Sequence, residues 1–326
     1  MIKCAIVGAT GLVGSTFIKA LEEKEIAIDE FYFFASKRSA GKNITLKDKE
    51  YVIEELTHET PKQKFDYAMF FAGGKISKEY APLFVEQGTV VIDNSSTFRM
   101  DEKVPLVVPE INIEKAYGKK LIANPNCSTI QAVVALYPLH QKYKIKRIVY
   151  STYQAVSGAG QKGVNDFYNT AKGEVPQKFP YKIYNNCIPH IDDFTDNGYT
   201  KEELKMINET HKILDNYNIQ ITATCVRVPV LNSHSESVNV EFENDIDIEE
   251  IKQILSFSPG IIIEDDINRN IYPLNEFANG IDDVIVGRIR RDFSVGNGIN
   301  LWIVADNIRK GAATNALQIL EALLNH

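Results

Sequence analysis

The residues whose types could do covalent chemistry surround Cys127, in the sequence PNCST at 125–129. Asn126 is a good N-cap residue, so a helix is expected to begin at Cys127; it continues through residues 130–137 and is predicted to end near Pro138. A thiol in the first turn meets unpaired backbone N–H groups and the positive end of the helix dipole, which favour a thiolate. A cysteine in such a place can also be a small buried hydrophobic residue, and this segment alone leaves both interpretations open.

A nucleophilic thiol beside a nicotinamide would oxidise aldehydes through a covalent adduct, and that chemistry needs a base. His234 is the candidate base, although a single histidine in a strand or loop is more often structural. Arg227 interrupts an apolar strand, and its guanidinium requires either an anionic substrate or an internal partner such as Glu236. Arg227 and His234 can enter one pocket only if the chain bends near Pro229 or Asn232.

Size and composition narrow the class of protein. A chain of 326 residues is long for one core, so two domains are expected. Its net charge of -7 argues against a nucleic-acid or anionic-membrane partner. No secretion signal or membrane-length apolar run is evident, and the four cysteines have no metal-ligand spacing. We therefore expect a cytoplasmic protein without a metal site.

The first part of the chain alternates strands and helices, which predicts a Rossmann-like, doubly wound parallel sheet. The predicted strands are residues 2–7, 31–35, 67–72 and 89–93, with helices to about Glu23 and over 75–86. After Cys127 the pattern becomes that of an α+β domain with a largely antiparallel sheet. Its predicted strands are 147–156, 219–230, 235–243, 284–293 and 299–305, with helices at 164–170 and 204–214.

A last helix over 307–324 is expected to return to the first domain. The predicted division is a dinucleotide-binding domain of residues 1–126 and 307–326, and a catalytic and dimerisation domain of residues 127–306. Residues 173–199 show no interpretable pattern.

The turn after the first strand has the form G-x-x-G-x-x-G, with Gly8, Gly11 and Gly14. Small residues there let the backbone and the next helix N-terminus approach a pyrophosphate. The second strand ends in ASKRSAGK at 35–42, where an NAD enzyme usually has an acidic residue. Its cations and hydroxyls, including Ser36, Arg38 and Ser39, would accept a 2′-phosphate, so NADP(H) is the predicted cofactor. A solvated basic turn is the alternative.

Seven segments in order resemble the aspartate-semialdehyde dehydrogenase family, in particular its Gram-positive bacterial branch. They are GATGLVG at 8–14, NSSTFR at 94–99, PNCST at 125–129, QAVSGAG at 154–160, ETHK at 209–212, RVP at 227–229 with His234, and DNIRKGAA at 306–313. The resemblance implies reduction of β-aspartyl phosphate with NADPH to aspartate semialdehyde and phosphate, on the route to lysine, methionine and threonine. It also implies a homodimer built through the second domain.

The resemblance assigns roles to individual residues. Cys127 would carry the acyl group as a thioester, His234 would be the acid/base, and Gln154 would orient the substrate. The implied substrate-binding residues are Arg227 for the α-carboxylate, Glu209 for the ammonium group, and Arg99 and Lys212 for the phosphate. The implied cofactor contacts are Gly8, Thr10, Gly11, Leu12, Val13, Ser36, Arg38, Ser39, Ser157, Gly158 and Asn307. Asn307 stands where some relatives carry glutamine.

Two alternatives remain at this stage. N-acetyl-glutamyl-phosphate reductase shares the fold, the thiol and the histidine, but its substrate has a blocked amine that would leave Glu209 without a cationic partner. A non-catalytic NADP sensor would keep the fold, yet it would have no need of Cys127, Gln154 and His234 together. Glu209 and Lys212 could also simply pair along one helix face.

Overall fold

The computed structural model describes all residues, Met1–His326. The chain forms two compact units, one of Met1–Pro125 with Ala312–His326 and the other of Asn126–Gly311. The chain therefore passes between units at 125/126 and 311/312, whereas the sequence pattern placed these points at 126/127 and 306/307.

The first unit is built on a seven-stranded sheet in the order β3-β4-β2-β1-β5-β6-β7. All its strand pairs are parallel except β3 with β4. The strands are β1 (Lys3–Val7), β2 (Glu30–Ala35), β3 (Asn43–Leu46), β4 (Lys49–Glu55), β5 (Tyr67–Phe70), β6 (Val90–Asp93) and β7 (Leu121–Ala123). The helices of this unit are α1 (Leu12–Glu22), α2 (Gly74–Glu86), α3 (Pro109–Asn112) and α9 (Thr314–Leu324).

Both faces of this sheet are buried, as a doubly wound fold requires. Alternate residues of β1 enter two different hydrophobic clusters, Cys4 and Ile6 one of them, Ala5 and Val7 the other. A strand that is buried on both faces has a continuous run of apolar residues in its sequence, which is why β1 could be predicted. The β3–β4 hairpin was missed because its strands are mostly exposed and form no apolar run.

The second unit is built on a six-stranded sheet in the order β11-β12-β13-β10-β8-β9. Its strands are β8 (Ile145–Gln154), β9 (Gln220–Arg227), β10 (His234–Phe242), β11 (Ile261–Ile263), β12 (Val284–Asp292) and β13 (Gly298–Ala305). Its helices are α4 (Cys127–Tyr143), α5 (Gln161–Ala171), α6 (Lys201–Leu214), α7 (Ile248–Phe257) and α8 (Asn275–Ala278). The sheet is mixed, because β8 with β9 and β11 with β12 pair in parallel while the other three pairs are antiparallel.

Four predicted helix limits were wrong. Helices α5 and α6 each begin three residues earlier than predicted, at Gln161 and Lys201. Helix α4 runs past Pro138 to Tyr143, because a proline removes one backbone donor while the completely buried Leu136 and Leu139 still fasten the helix to the core. The last helix does not run evenly from 307, since Arg309–Ala313 forms a π-helical turn before α9. None of the helices combines the length and apolarity needed to cross a membrane.

Candidate active site

Three strand ends of the second unit supply the side chains of the site. Gln154 ends β8 and Arg227 ends β9, and these strands are parallel, with the two residues in register. His234 begins β10, which runs antiparallel to β8. A parallel pair ends where its antiparallel neighbour begins, so all three residues lie at the same end of the sheet. Asn307 follows the end of β13, where Ala305 is paired with His234.

Cys127 is the first residue of α4, as the sequence predicted. The Asn126 side-chain oxygen accepts hydrogen bonds from the backbone N–H groups of Ser128 at 3.0 Å and Thr129 at 3.2 Å. The sulfur of Cys127 lies 3.3 Å from Nε2 of His234. The predicted N-cap is therefore confirmed, and the structure brings the predicted thiol and imidazole into hydrogen-bond contact.

The other cysteines have different surroundings. Cys4 and Cys225 are completely buried, and burial raises the pKa of both thiols well above the usual value. Cys187 is exposed and Cys127 is half-buried. Only the thiolate is a strong nucleophile, so burial makes Cys4 and Cys225 poor candidates for the chemistry.

His234 is held in one tautomer by the backbone. Its Nδ1 accepts a hydrogen bond from the N–H of Ala155 at 2.9 Å, so the proton of the neutral ring is on Nε2 and faces the sulfur of Cys127. Burial, with the positive charge of Arg227 adding to it, lowers the pKa of His234 to about 3. The imidazole is therefore neutral near neutral pH and donates Nε2–H toward the sulfur.

Arg227 lies beside His234, and the chain between them bends as the prediction required. Residues 228–233 leave the sheet between β9 and β10, and a Cβ at Gly158 would lie 2.9 Å from Nη1 of Arg227 and 3.3 Å from Nε2 of His234. Nη1 of Arg227 donates to the carbonyl of Ala155 at 2.6 Å. The alternative partner, Glu236, is buried with neither carboxylate oxygen hydrogen-bonded, so it does not pair with Arg227.

Gln154 is buried, and both the nitrogen and the oxygen of its side-chain amide are hydrogen-bonded. Its Nε2 donates to Oε1 of Glu202 at 3.1 Å, and its Oε1 accepts from the hydroxyl of Thr152 at 3.0 Å. Glu202 was not predicted as a site residue, because the charged run Lys201-Glu202-Glu203 at the start of α6 resembles a solvated helix start. A capping box formed by Thr200 and Glu203 was the available sign that this turn is ordered.

Of the other predicted substrate-binding residues, Glu209 and Lys212 lie on α6 and Arg99 lies in the first unit. Glu209 is buried on α6, and its Oε2 accepts the backbone N–H of Asn126 at 2.6 Å. Lys212 lies one turn further along α6 and is half-buried. Arg99 belongs to the first unit, where its Nε and Nη2 donate to the carbonyls of Asn124 and Asn94, each at 2.9 Å. The carboxylate of Glu209 is thus hydrogen-bonded to the backbone of the residue that precedes Cys127.

The glycine turn of the first unit fits a bound dinucleotide. Gly8 has a φ of +89°, and a Cβ there would lie 2.7 Å from the backbone N of Ala72. A Cβ at Gly14 would lie 2.3 Å from the carbonyl oxygen of Gly8. The N-cap of α1 is Gly11, which has no side chain to occupy the N–H groups of the first turn. The turn therefore leaves a helix N-terminus open to a pyrophosphate, with Leu12 and Val13 in that first turn.

The other predicted cofactor residues of this unit surround the turn that follows β2. Ser36 and Arg38 are exposed there, whereas Ser39 is buried. The hydroxyl of Thr10 lies 3.5 Å from that of Ser39. The glycine turn and the basic turn are thus neighbours within the first unit, and both follow the carboxyl ends of adjacent parallel strands, the usual side for a nucleotide in such sheets.

In the second unit, Ser157, Gly158 and Asn307 are close together. The Oδ1 of Asn307 accepts from the backbone N–H of Ser233 at 2.9 Å, and its Nδ2 lies 3.1 Å from the hydroxyl of Ser157. Asn307 is buried, so its amide fastens the chain just before His234 to the turn after β8. The structure accordingly gives Asn307 a role in holding the site, besides any contact with the cofactor.

The fold and the site define a class of protein: an oxidoreductase with a Rossmann-type dinucleotide fold and a histidine-paired cysteine. A family model described as "Semialdehyde dehydrogenase, NAD binding domain" matches residues 3–118, and one described as "Semialdehyde dehydrogenase, dimerisation domain" matches residues 136–310. The chain belongs to the aspartate-semialdehyde dehydrogenase family.

The similar proteins match over almost the whole chain. An aspartate-semialdehyde dehydrogenase of Aquifex aeolicus is 54% identical over 99% of this chain and 98% of its own length, and that of Bacillus subtilis is 46% identical over 98% and 96%. The crystal structure of aspartate semialdehyde dehydrogenase II from Vibrio cholerae has a TM-score of 0.94 at 45% identity and covers 100% of this chain and 99% of its own. The same Vibrio enzyme has also been solved in complex with ASA.

Proposed function

We propose that this protein reduces L-β-aspartyl phosphate with NADPH to L-aspartate 4-semialdehyde and phosphate, reversibly, through a thioester on Cys127. The reaction belongs to lysine, methionine and threonine biosynthesis. The observation that carries the proposal is the 3.3 Å contact between the sulfur of Cys127 and Nε2 of His234 at the N-terminus of α4. A helix N-terminus and a cationic Arg227 nearby both favour a thiolate.

The chain's residues divide the reaction into two steps. The thiolate of Cys127 attacks the acyl carbon, the C–O bond to phosphate breaks, and phosphate leaves with the bonding electrons. Bound NADPH supplies the hydride that reduces the thioester. The C–S bond then breaks to release the aldehyde, and Nε2–H of His234 stabilises the negative charge on the departing oxygen or sulfur. In the oxidative direction the same Nε2–H donates a hydrogen bond to the oxyanion that forms when the thiolate of Cys127 attacks the aldehyde.

The substrate is held by charges that match its own. Arg227 binds the α-carboxylate, Glu209 the ammonium group, Gln154 the reacting carbonyl, and Arg99 and Lys212 the phosphate. The burial of Glu209 supports its role, because a buried carboxylate favours a cationic partner, which an N-acetylated amine does not offer. This is the reason to prefer aspartyl phosphate over an N-acetyl-glutamyl phosphate.

The cofactor is NADP(H) rather than NAD(H). Arg38 and Ser39 bind the 2′-phosphate, in a turn that offers no carboxylate to a ribose 2′-OH. The remaining contacts are those of the glycine turn and of the Ser157 segment: Gly8, Thr10, Gly11, Leu12, Val13, Ser36, Ser157, Gly158 and Asn307. The first unit, Met1–Pro125 with Ala312–His326, is the NADP-binding domain, and the second unit, Asn126–Gly311, is the catalytic and dimerisation domain.

We further propose a cytoplasmic homodimer that has neither nucleic acid nor membrane as a partner. The match of residues 136–310 to a dimerisation-domain family supports the dimer. Placement in the Gram-positive branch stays a prediction, because relatives from Aquifex, Legionella and Bacillus match at similar identity.

One assay tests the proposed function. Purified protein is mixed with aspartate semialdehyde, phosphate and NADP, and the absorbance of the reduced nicotinamide is followed. We expect NADPH to form beyond one equivalent per active site only when phosphate and semialdehyde are both present, and the N-acetyl-glutamyl analogue to react far more slowly. Cofactor binding without turnover would instead identify an NADP sensor.

A further inference from the structure

Glu202 is a buried acidic residue in the first turn of α6 that no step above uses. It is 5% exposed, and both of its carboxylate oxygens accept hydrogen bonds. Oε1 accepts from Nδ2 of Asn126 at 2.9 Å and from Nε2 of Gln154 at 3.1 Å, and Oε2 accepts from Nζ of Lys205 at 3.0 Å. One carboxylate thus contacts the N-cap of the Cys127 helix and the predicted substrate-orienting amide.

The charge of Glu202 is well compensated. Burial alone would raise the pKa of this carboxyl, but Lys205 and the amide donors of Asn126 and Gln154 outweigh burial and lower the pKa to about 2. Lys205 is in turn bound to Asp192 at 2.7 Å. The group is therefore ionised throughout the working pH range, and an ionised carboxylate only accepts hydrogen bonds.

An acceptor-only partner decides which way an amide faces. Because Glu202 cannot donate, Gln154 must turn its nitrogen toward it, and the amide oxygen then receives the hydroxyl of Thr152. The nitrogen of Gln154 has a second hydrogen, and this hydrogen is the one it can offer to a substrate carbonyl. Asn126 is oriented in the same way, with its nitrogen on Glu202 and its oxygen on the first turn of α4.

We propose that Glu202 is a positioning residue for the reaction at Cys127: its carboxylate fixes the amides of Gln154 and Asn126, so that one presents an N–H to the reacting carbonyl and the other an oxygen to the nucleophile's helix. This inference rests on the proposed function. The neutral isostere in Glu202→Gln can itself donate, so it permits the Gln154 amide to turn over and place its oxygen against the substrate.

The test compares Glu202→Gln and Glu202→Asp by steady-state kinetics. We expect Glu202→Gln to lower kcat by about 10²-fold, as loss of one oxyanion donor does, with KM for NADPH changed by less than about threefold. Glu202→Asp stays acceptor-only and should keep more activity than Glu202→Gln. A packing role would give the opposite order, because glutamine has the shape of glutamate and aspartate does not.

Glu203→Gln is the matched control, since this neighbouring buried carboxylate binds the backbone N–H groups of Thr200 and Cys225 and touches neither amide. Glutamine keeps one acceptor oxygen but turns its NH2 group toward the other backbone N–H, so we expect Glu203→Gln to be less stable than wild type. We expect its kcat to stay within about threefold of wild type, because neither of these bonds contacts Gln154 or Asn126. An equal loss in Glu202→Gln and Glu203→Gln would overturn the inference.

A double-mutant cycle separates an effect through Gln154 from a general loss of structure. In a Gln154→Ala background, the further change Glu202→Gln should cost much less in kcat than it does alone. If Glu202→Gln lowers kcat by the same factor in the Gln154→Ala background as in wild type, the inference is overturned. Should Glu202→Gln not fold, Glu202→Asp in the two backgrounds gives the same comparison. The wild-type assay reports separately on the proposed function, which fails only if wild-type protein forms no NADPH.

Discussion

A single methyl group placed between Arg227 and His234 should damage the site without removing any reacting atom. Gly158 is the position for it, because its φ is not positive and alanine fits its backbone, yet a Cβ there would lie 2.9 Å from Nη1 of Arg227 and 3.3 Å from Cε1 and Nε2 of His234. Carbon contacts are optimal at about 3.5–4.0 Å, so the guanidinium must move by roughly 0.6 Å or more and the imidazole by a few tenths of an ångström.

Displacements of this size are costly in a reaction that depends on geometry. A misplacement of about 1 Å can reduce a rate by about 10²-fold, so we expect Gly158→Ala to lower kcat/KM for aspartate semialdehyde by about 10- to 100-fold at saturating NADP. Gly296→Ala is the control, because a Cβ there meets nothing within 4 Å. The assay is NADPH formation, with thermal unfolding measured in parallel. A wild-type kcat/KM in folded Gly158→Ala protein would refute the arrangement of Arg227 beside His234.

Three further predictions follow from the charges. Arg38→Ala should weaken NADP(H) binding far more than NAD(H) binding, measured by nicotinamide fluorescence titration, and equal losses would remove the NADP assignment. Arg227→Lys should lower kcat/KM by about 10²-fold while the protein stays folded, because one ammonium group cannot grip a carboxylate with two prongs; an unchanged kcat/KM would place Arg227 outside the substrate site. Glu236→Gln should stabilise the protein at about pH 8 more than at about pH 5. Burial, with Glu202 adding to it, raises the pKa of Glu236, so the unfolded chain loses this proton first and stability falls as pH rises above 4.5. Equal melting-temperature changes at the two pH values would contradict that sign.

Local signals in the sequence were sufficient for the nucleophile's helix. Asn126 and Cys127 are adjacent in the chain, so the cap and the thiol could be predicted from neighbouring residues alone. Strands β1, β2, β5 and β6 were predictable because burial on both faces makes each of them a largely apolar run, whereas the parallel strands β4 and β7 were not predicted. Pro138 misled the prediction of the helix end, since tertiary packing outweighed the missing backbone donor.

Long-range contacts could not be predicted. Glu202 reaches Asn126 across 76 positions of sequence and Gln154 across 48, and no local pattern records such pairs. The tautomer of His234 depends on the N–H of Ala155, which is 79 positions away. The pairing of Arg227 with Glu236 was a reasonable alternative from residue types, but Arg227 donates to the carbonyl of Ala155 and neither carboxylate oxygen of Glu236 is hydrogen-bonded.

The central claim is that Cys127 carries the acyl group. Its most direct test is mass spectrometry of protein quenched with acid after mixing with aspartate semialdehyde and NADP in the absence of phosphate, when the thioester cannot be released to an acyl phosphate. We expect one aspartyl adduct, located on the peptide that contains Cys127 and absent from Cys127→Ser protein. An adduct on Cys187 or another residue, or turnover by Cys127→Ser at the wild-type rate, would contradict the account.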